Sequence, residues 1–338
     1  MVLTQAERDN ITRWDGERRG FYEVYYLKVN HVPSGTALWA RYTLLAPQEG
    51  MGEPVAELWS IFSDRNDPTR NTGLKRTYPV ARASIAHDHF EFRVGEAVIT
   101  HRSAAGGLAG EAGTLTWDLA WEPCTETFYH FPRPSMYGEG FPKAKALSPN
   151  LAVRMRGSYT VNGVTYRLID APGHQAHLWG VKQGLRWTWA NCNAFVEDPS
   201  AAFEGLSAQI KLGPMSSPAL NIYGFRYQGR WYVYNGILNW LTNRSRSQVG
   251  AWEIEARGQE MRFVGHVRSR LEDLVGVEYS DTDGSKLWCH NAKVGDMTLE
   301  VYQREGGRWA HVDTLTSQGT TAVEWVMREK CPGVEIRV

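Results

Sequence analysis

Short runs of alternating side chains, separated by Gly, Asn and Asp turns, fill almost all of this sequence after Gly20. The first run, FYEVYYLKVN, is followed by TALWARYTLL and VAELWSIFSDR, and about eight to ten such segments precede residue 196. Because successive side chains of a β-strand point to opposite faces, this alternation indicates half-buried strands. Roughly eight strands are enough to close a small barrel that holds one ligand. The pattern therefore favours an all-β architecture.

The alternating pattern restarts after residue 196 and continues in ten further short runs. With 338 residues, the chain is long enough for two medium-sized domains. We therefore predict one antiparallel barrel over residues 1–195 and a second over residues 196–338, packed together. The segment Thr4-Gln-Ala-Glu7 fits a capping box and predicts one short helix before the first strand.

The charge balance argues against partners that recognise a strongly charged surface. Lys plus Arg and Asp plus Glu both total 37, so the formal net charge is zero, whereas nucleic acids and anionic membranes bind a clustered basic excess. No run approaches transmembrane length, and the N-terminus carries charges where a signal peptide has an apolar core. The four cysteines are widely spaced, which does not favour a disulfide framework. We expect a soluble, cytoplasmic protein.

One stretch, residues 171–195, combines aromatic and hydrogen-bonding side chains in strict alternation. Its second half places five large side chains on one strand face, namely Trp187, Trp189, Asn191, Asn193 and Phe195. Its first half places His177 and Trp179 on one face and His174 on the other. Two glycines between the halves predict a turn, so we interpret the stretch as a hairpin that closes the first barrel. The large face is typical of an apolar pocket with a few fixed polar groups, although tryptophans that fill a core produce the same pattern.

Each of the first three strands carries one charged side chain among apolar neighbours: Glu23, Arg41 and Glu57. These side chains can face solvent or form an ion-pair network that fixes the strand register. Alternatively, at least one carboxyl lies in an apolar cavity, where burial raises its pKa and keeps it protonated as a proton donor. We expect Glu23 to border the same cavity as the face formed by Trp187, Trp189 and Asn191.

The sequence lacks the usual cofactor and nucleophile motifs. It has no Walker loop, no GxGxxG after a strand, no GxSxG and no HExxH. His87 and His89 form a His-x-His pair without a third ligand at metal-site spacing, so we predict that they are surface histidines. We expect neither a metal nor a cofactor. The remaining aromatic faces, carboxyls and histidines favour a hydrophobic small molecule as the ligand.

Several segments resemble those of a known family. Glu23-Val-Tyr-Tyr26 resembles the Glu-Trp-Trp-Tyr signature of AttH and carotenoid 1,2-hydratase-like proteins. His174-Gln-Ala-His177-Leu-Trp179-Gly180, followed by Trp187-Thr-Trp189, resembles their His-Asp-His-Asn-Trp-Gly and Trp-x-Trp segment. The runs WTWANCNAF and LVGVEYSDTDGSKLWCHN resemble tocopherol cyclase and its bacterial relatives. The resemblance implies two lipocalin-like (calycin) barrels with a ligand cavity in or between them. Relatives include double-bond hydratases, chroman-forming cyclases and lipocalin-like Diels-Alderases.

Three functions fit these features. In the first, a cofactor-independent cyclase or hydratase acts on an isoprenoid or polyene, with Glu23 or Glu57 protonating a double bond and His177 orienting the nucleophile. Other side chains would bind the substrate: Tyr25, Arg41, Trp59, His174, Trp179, Trp187, Trp189, Asn191 and Asn193. The second function is a pericyclase that folds a linear polyene, and the third is a non-catalytic lipid or pigment carrier. We favour an enzyme because these carboxyls are expected to be buried.

Overall fold

The computed structural model describes residues 3–338, and most of them lie in antiparallel strands. Within this range there are two short α-helices, α1 (Gln5–Asn10) and α2 (Ile237–Thr242). The predicted capping box is confirmed, because the Thr4 side chain accepts from the Glu7 backbone while the Glu7 side chain accepts from the Thr4 backbone. No helix of the described range is long and apolar enough to cross a membrane. Because strands make up most of the described residues and the two α-helices are short, the all-β prediction is confirmed.

The first sheet contains twelve strands. They are β1 (Phe21–His31), β2 (Thr36–Ala46), β3 (Val55–Asp64), β4 (Thr72–Pro79), β5 (Ala83–Ile85), β6 (Glu91–Val94), β7 (Ala97–Thr100), β8 (Ser103–Gly110), β9 (Gly113–Trp121), β10 (Phe128–Tyr129), β11 (Ala144–Val161) and β12 (Val164–Gly180). Their order is β4-β3-β2-β1-β12-β11-β9-β8-β7-β6-β5, with β10 beside β11. The sheet curls until β3 and β4 contact β8, which produces a nearly closed barrel around its own apolar core.

The chain then forms a second sheet of ten strands and a two-stranded ribbon. The strands are β13 (Arg186–Cys192), β14 (Ala202–Gln209), β15 (Lys211–Leu212), β16 (Met215–Ser216), β17 (Leu220–Tyr227), β18 (Arg230–Tyr234), β19 (Arg244–Gln248), β20 (Ala251–Arg257), β21 (Met261–Arg268), β22 (Val275–Ser280), β23 (Lys286–Glu305) and β24 (Arg308–Met327). The order in the large sheet is β18-β17-β14-β13-β24-β23-β21-β20-β19, with β22 beside β23, while β15 and β16 form the ribbon. Helix α2 contacts β17 and β20, and this sheet has a separate apolar core.

The hairpin predicted over residues 171–195 is wrong, because β12 and β13 belong to different sheets. β12 pairs with β1 and β11, whereas β13 pairs with β14 and β24. The connection between them is bound by the second sheet: Gln183 N donates to Asp281 Oδ1 at 3.2 Å, and Leu185 N donates to Gln209 O at 2.8 Å. Alternation correctly defines the faces of each strand, but it does not specify the pairing partner. The division into domains 1–195 and 196–338 stays a prediction.

β1 is buried on both faces and joins the two sheets. Tyr25 and Leu27 point into the core of the first barrel, whereas Tyr22, Val24 and Tyr26 point toward the second sheet. Side chains from β13, β22, β23 and β24 cover this outer face. A strand that is buried on both sides is apolar at nearly every position, which explains why β1 has aromatic side chains on both faces. The chain thus consists of two lipocalin-like antiparallel sheets packed together, as expected.

Candidate functional site

A cavity of about 500 Å³, here called the inter-sheet cavity, lies where the two sheets face each other. Most of its lining is aromatic or aliphatic, including Val24, Tyr26, Trp39, Trp187, Trp189 and Tyr279. The connection before β11 contributes His130 and Phe131, and the charged side chains of Arg41 and Glu324 reach the same space. Ligand pockets typically have volumes of roughly 300–1,000 Å³, apolar walls and few polar groups. The inter-sheet cavity has these properties.

Strand alternation explains why these side chains meet. Tyr26 and Arg41 are direct cross-strand partners on β1 and β2, and both side chains point away from the first barrel. Trp187 and Trp189 share one face of β13, as the sequence predicts, and both line the inter-sheet cavity. Tyr26 meets Trp189 edge to face, with 5.5 Å between the ring centroids. The outer face of β1 and the aromatic face of β13 are therefore opposite walls of one space.

The ion pair between Glu324 and Lys293 forms the polar part of one wall. Lys293 Nζ donates to Glu324 Oε1 at 2.9 Å, and Asn291 Nδ2 donates to the same oxygen at 3.0 Å. Lys293 has no exposed surface, and its Nζ lies 5.6 and 5.4 Å from the ring centroids of Trp39 and Trp189. Among the residues described, no donor reaches Glu324 Oε2. This second oxygen is available to a ligand.

Arg41 and Tyr26 supply hydrogen-bond donors to the cavity. Arg41 Nε donates to Thr43 Oγ1 at 2.9 Å. The guanidinium carbon lies 4.1 Å from the ring centroid of Tyr279 and 5.4 Å from that of Trp59. Burial, followed by the nearby carboxylates including Glu324, raises the pKa of Tyr26 well above its ordinary value. Tyr26 therefore keeps its proton at neutral pH.

A second buried carboxylate, Glu204, lies behind Trp189 and fixes that ring. Trp189 Nε1 donates to Glu204 Oε1 at 2.8 Å, and Asn191 Nδ2 donates to Oε2 at 3.0 Å. His130 Nε2 lies 3.2 Å from Oε1. Burial opposes ionisation, but the imidazoles of His174 and His130 and these hydrogen bonds hold the pKa of Glu204 below its ordinary value. Asn191, a predicted binding residue, thus positions Trp189 rather than lining the cavity.

Glu23 lies on the opposite face of β1, inside the first barrel, and has 1% of its surface exposed. Its carboxylate accepts from Thr12 Oγ1 and Arg13 N, both at 2.7 Å, and from Trp14 N at 3.0 Å. Burial raises the pKa of Glu23, but the hydrogen bond and charge of His177 and these further donors outweigh burial and lower it. The prediction of a protonated Glu23 beside the Trp187 face is therefore wrong. The sequence does not reveal that residues 12–14 fold over this carboxylate.

Three other predicted site residues, His177, Tyr25 and Trp179, accompany Glu23. His177 Nε2 lies 2.8 Å from Glu23 Oε1, and its Nδ1 lies 2.8 Å from Asp9 O. Both partner atoms are oxygens that can accept a hydrogen bond. The His177 ring stacks on Tyr25 at 4.3 Å and lies 4.7 Å from Trp179. This cluster attaches the N-terminal segment to the barrel and is separated from the inter-sheet cavity by β1.

Glu57, the second predicted proton donor, forms an ion pair outside the cavity lining. Lys75 Nζ lies 2.7 Å from Glu57 Oε1, and Thr77 Oγ1 donates to the same oxygen at 3.4 Å. The Lys75 ammonium also lies 3.9 Å from the ring centroid of Trp59. Trp59 in turn packs edge to face on Tyr279 at 5.9 Å. Trp59 therefore supports the cavity wall from behind, and Glu57 has a cationic partner that an isolated acid in an apolar cavity would lack.

His174 and Asn193 lie in the packed layer between the sheets, away from the cavity lining. His174 Nδ1 lies 3.1 Å from Leu151 O, and burial lowers the pKa of His174 to about 4. Asn193 Nδ2 donates to Gly173 O at 2.6 Å, and its Oδ1 accepts from Lys28 Nζ at 3.2 Å. Of the predicted site residues, the inter-sheet cavity brings together Arg41, Trp187 and Trp189. The sequence-predicted His87 and His89 are exposed, as expected.

Residues 70–325 match the family model described as tocopherol cyclase-like. The chain belongs to the tocopherol cyclase-like family. Among curated relatives, two uncharacterised proteins of Mycobacterium tuberculosis, from strains CDC 1551 and H37Rv, are each 26% identical over 307 residues, covering 90% of this chain and 87% of theirs. The family resemblance predicted from the sequence motifs is thus confirmed.

Solved structures share the fold at low sequence identity. The AttH-designated protein of Nitrosomonas europaea gives a TM-score of 0.57 at 10% identity, covering 91% of this chain and 92% of that one. Kievitone hydratase from Nectria haematococca gives a TM-score of 0.51 at 11% identity, covering 97% and 93%. CghA gives a TM-score of 0.51 at 10% identity with the same coverage. The matched regions include nearly the whole chain, so these structures share the fold of both sheets.

In this member of the tocopherol cyclase-like family, four polar residues around the cavity escape the sequence-based prediction: Tyr26, Glu204, Lys293 and Glu324. Each of the three charged residues lies within an apolar strand, in the runs AFEGL, HNAKV and AVEWV. This is the same signal that identifies Glu23 and Glu57. This signal alone does not identify which charged residues surround the cavity, because the sequence does not show that β23 and β24 pack against the outer face of β1.

Proposed function

We propose that this protein is a cofactor-independent cyclase or hydratase that acts on a hydrophobic isoprenoid or polyene in the inter-sheet cavity. The observation that carries the proposal is the composition of the cavity. Aromatic walls surround two groups able to transfer protons, the Tyr26 hydroxyl and the Glu324 carboxylate. Membership of a family described by cyclisation, and a structural neighbour named as a hydratase, support the same reaction class.

The chemistry needs a base and an acid but no cofactor. Glu324 Oε2 accepts the proton of a substrate hydroxyl or of water, and the resulting oxygen nucleophile adds to one carbon of a double bond conjugated to a carbonyl. The other carbon gains a proton from Tyr26, which regains it when Glu324 releases its own. Attack by an internal hydroxyl closes a ring without a change of mass, whereas attack by water adds one water. The faces of Trp187 and Trp189 hold the apolar chain and exclude bulk water.

This assignment replaces the acid mechanism expected from the sequence. That mechanism needs a carboxyl kept protonated by its surroundings, whereas Glu23 is ionised by its donors. At Glu324, the Lys293 ammonium lies 2.9 Å from Oε1 and supplies a neighbouring positive charge. A carboxylate acting as the base and a tyrosine holding the proton are consistent with this distribution of charge.

The test is turnover measured by liquid chromatography and mass spectrometry on a panel of conjugated polyenones with and without an internal hydroxyl. We expect products of unchanged mass or products that gain one water. Glu324→Gln keeps an acceptor for Lys293 and should lower kcat by about 10²- to 10⁴-fold, the usual contribution of a general base. Tyr26→Phe should also lower kcat. The exposed Glu253→Gln is the matched control and should leave turnover unchanged.

Two other outcomes would overturn this assignment. If Glu324→Gln and Tyr26→Phe keep full turnover while the cavity-filling Ala208→Trp abolishes it, the cavity acts by folding a polyene, as a pericyclase would. If ligands bind in the cavity and are recovered unchanged across the whole panel, the protein is a carrier.

A further inference from the structure

Arg41 is a buried cation without an acidic partner inside the protein. Only 8% of its surface is exposed, and among residues 3–338 no carboxylate oxygen lies within 4.0 Å of its guanidinium. Its one hydrogen bond to a described residue runs from Nε to Thr43 Oγ1. The two Nη nitrogens, which carry four of its five N–H groups, therefore have no acceptor in the described protein while the side chain lines the inter-sheet cavity.

Three other cations near the cavity have a carboxylate partner, whereas the buried Lys145 donates to the backbone oxygen of Gly140 at 3.1 Å. Lys293 is paired with Glu324 at 2.9 Å, and Arg328 Nη2 lies 3.3 Å from Asp281 Oδ2. Lys182 Nζ lies 2.9 Å from the same carboxylate. Glu324 and Asp281 are thus already paired with other cations. Because a guanidinium stays charged in proteins and an unpaired buried charge is costly, the Nη groups of Arg41, which have no acceptor among the described residues, are free to bind an anionic group.

The surroundings of Arg41 define what kind of group it can receive. Tyr22 and Tyr26 lie on the same outer face of β1, and Tyr26 is the direct cross-strand partner of Arg41. Neither hydroxyl makes a hydrogen bond to the residues described, and burial raises the pKa of both. The Tyr279 ring covers one side of the guanidinium. This corner therefore offers several donors and an aromatic platform, which match an oxygen acceptor that carries negative charge.

We propose that Arg41 binds an acidic oxygen head group of the substrate, a carboxylate or an enolate, while the apolar body lies against Trp187 and Trp189. The proposal rests on the proposed function, because it assigns the substrate class of the same cavity. The planar guanidinium can donate two parallel N–H groups to both oxygens of such a head. The natural substrate is therefore an amphiphile with one acidic oxygen terminus, rather than a plain hydrocarbon or a neutral alcohol.

Binding of matched acidic and neutral probes tests this inference without knowledge of the substrate. Retinoic acid and retinol differ at the head group, and quenching of the cavity tryptophans reports their binding. We expect the wild-type protein to prefer retinoic acid by about 10- to 100-fold, the range for a hydrogen bond to a charged group. A second pair, 2-dodecanoyl-1,3-cyclohexanedione and its methyl enol ether, distinguishes an enolate from a carboxylate as the preferred head.

Arg41→Met should remove the preference for the acidic probe and leave retinol affinity within about threefold of the wild-type value. Arg41→Lys keeps the charge without the planar fork and should retain part of the preference. Arg76→Met changes the net charge equally, but at an exposed position on β4, and should leave the preference intact. If Arg41→Met does not fold, as judged by near-ultraviolet circular dichroism, Arg41→Lys carries the comparison.

The outcomes separate this inference from the proposed function. If both retinoids bind the wild-type protein equally and Ala208→Trp blocks both, the role of Arg41 is refuted while the cavity remains the binding site. If Arg41→Met keeps the full acid preference, the inference is likewise overturned. If neither probe pair binds and no turnover is seen, the cavity proposal fails and the Arg41 proposal fails with it.

Discussion

Replacing Glu23 by glutamine separates a structural role for this carboxylate from the catalytic role expected from the sequence. Glu23 Oε2 accepts from Thr12 Oγ1 at 2.7 Å and from Trp14 N at 3.0 Å. An amide nitrogen at this position cannot accept either bond. Hydrogen bonds to charged groups contribute about 1.5–3 kcal/mol each, so Glu23→Gln should lower the free energy of unfolding by about 3–6 kcal/mol at pH 7.

The pH dependence gives this prediction a second, independent signature. The folded-state pKa of Glu23 lies below its ordinary value, whereas an unfolded glutamate titrates near roughly 4.3. A depressed carboxyl pKa contributes stability that is complete above the unfolded value and is lost as the pH falls through the folded value. The stability difference between wild type and Glu23→Gln should therefore be large at pH 7 and narrow steadily below about pH 4.3.

Urea unfolding followed by circular dichroism measures the change in stability, and hydrogen exchange of the amides of Arg13 and Trp14 reports the local effect. Glu49→Gln is the matched control, because Glu49 is exposed, and it should stay within about 0.5 kcal/mol of wild type. A typical single mutation changes the free energy of unfolding by about 1 kcal/mol. If the free energy of unfolding of Glu23→Gln lies within about 1 kcal/mol of the wild-type value, or if the difference between them does not vary with pH, the structural role is refuted.

Three further predictions follow from buried contacts elsewhere in the chain. Lys293→Met leaves the Glu324 carboxylate without its cation and should lower the free energy of unfolding, measured with urea, by about 3–5 kcal/mol. The double variant that also carries Glu324→Leu should recover most of that loss. Gly276→Ala places a Cβ 2.5 Å from Glu335 O, so it should speed hydrogen exchange in residues 334–338 and cost about 1–3 kcal/mol. His174 has its pKa lowered to about 4 by burial. As the pH falls, the unfolded state therefore binds this proton before the folded state does. Between pH 6.5 and pH 4 the free energy of unfolding of the wild type should fall by about 3 kcal/mol more than that of His174→Gln, as measured by unfolding at each pH.

Strand faces are the part of this fold that the sequence specifies well. Trp187 and Trp189 share one face of β13 and line a cavity, because side-chain alternation is a local property of extended backbone. The capping box at Thr4 and Glu7 is likewise local and forms as predicted. The aromatic residues on both faces of β1 also indicate that this strand is buried on both sides, since a strand that is apolar on both faces must be covered on both faces.

Long-range pairing is the part that alternation cannot supply. The short connection after Gly180 is compatible with a hairpin, yet Asp281 and Gln209 of the second sheet bind the connecting residues and carry β13 across. The role of Glu23 depends on residues 12–14, which have no periodic pattern that would place them over a carboxylate. The acid that does line the cavity, Glu324, lies some three hundred residues further along the chain, and only the packing of two sheets places it opposite β1.

The central claim is that the substrate binds between the two sheets, with its acidic end at Arg41 and its apolar body beside Trp187 and Trp189. The most direct test is a crystal structure of the protein with retinoic acid. The account predicts the carboxylate within hydrogen-bonding distance of Arg41 and the polyene in the inter-sheet cavity. A ligand located instead in the separate cavity lined by Cys124, Tyr129 and Trp231, or inside the first barrel beside Glu23, would contradict it.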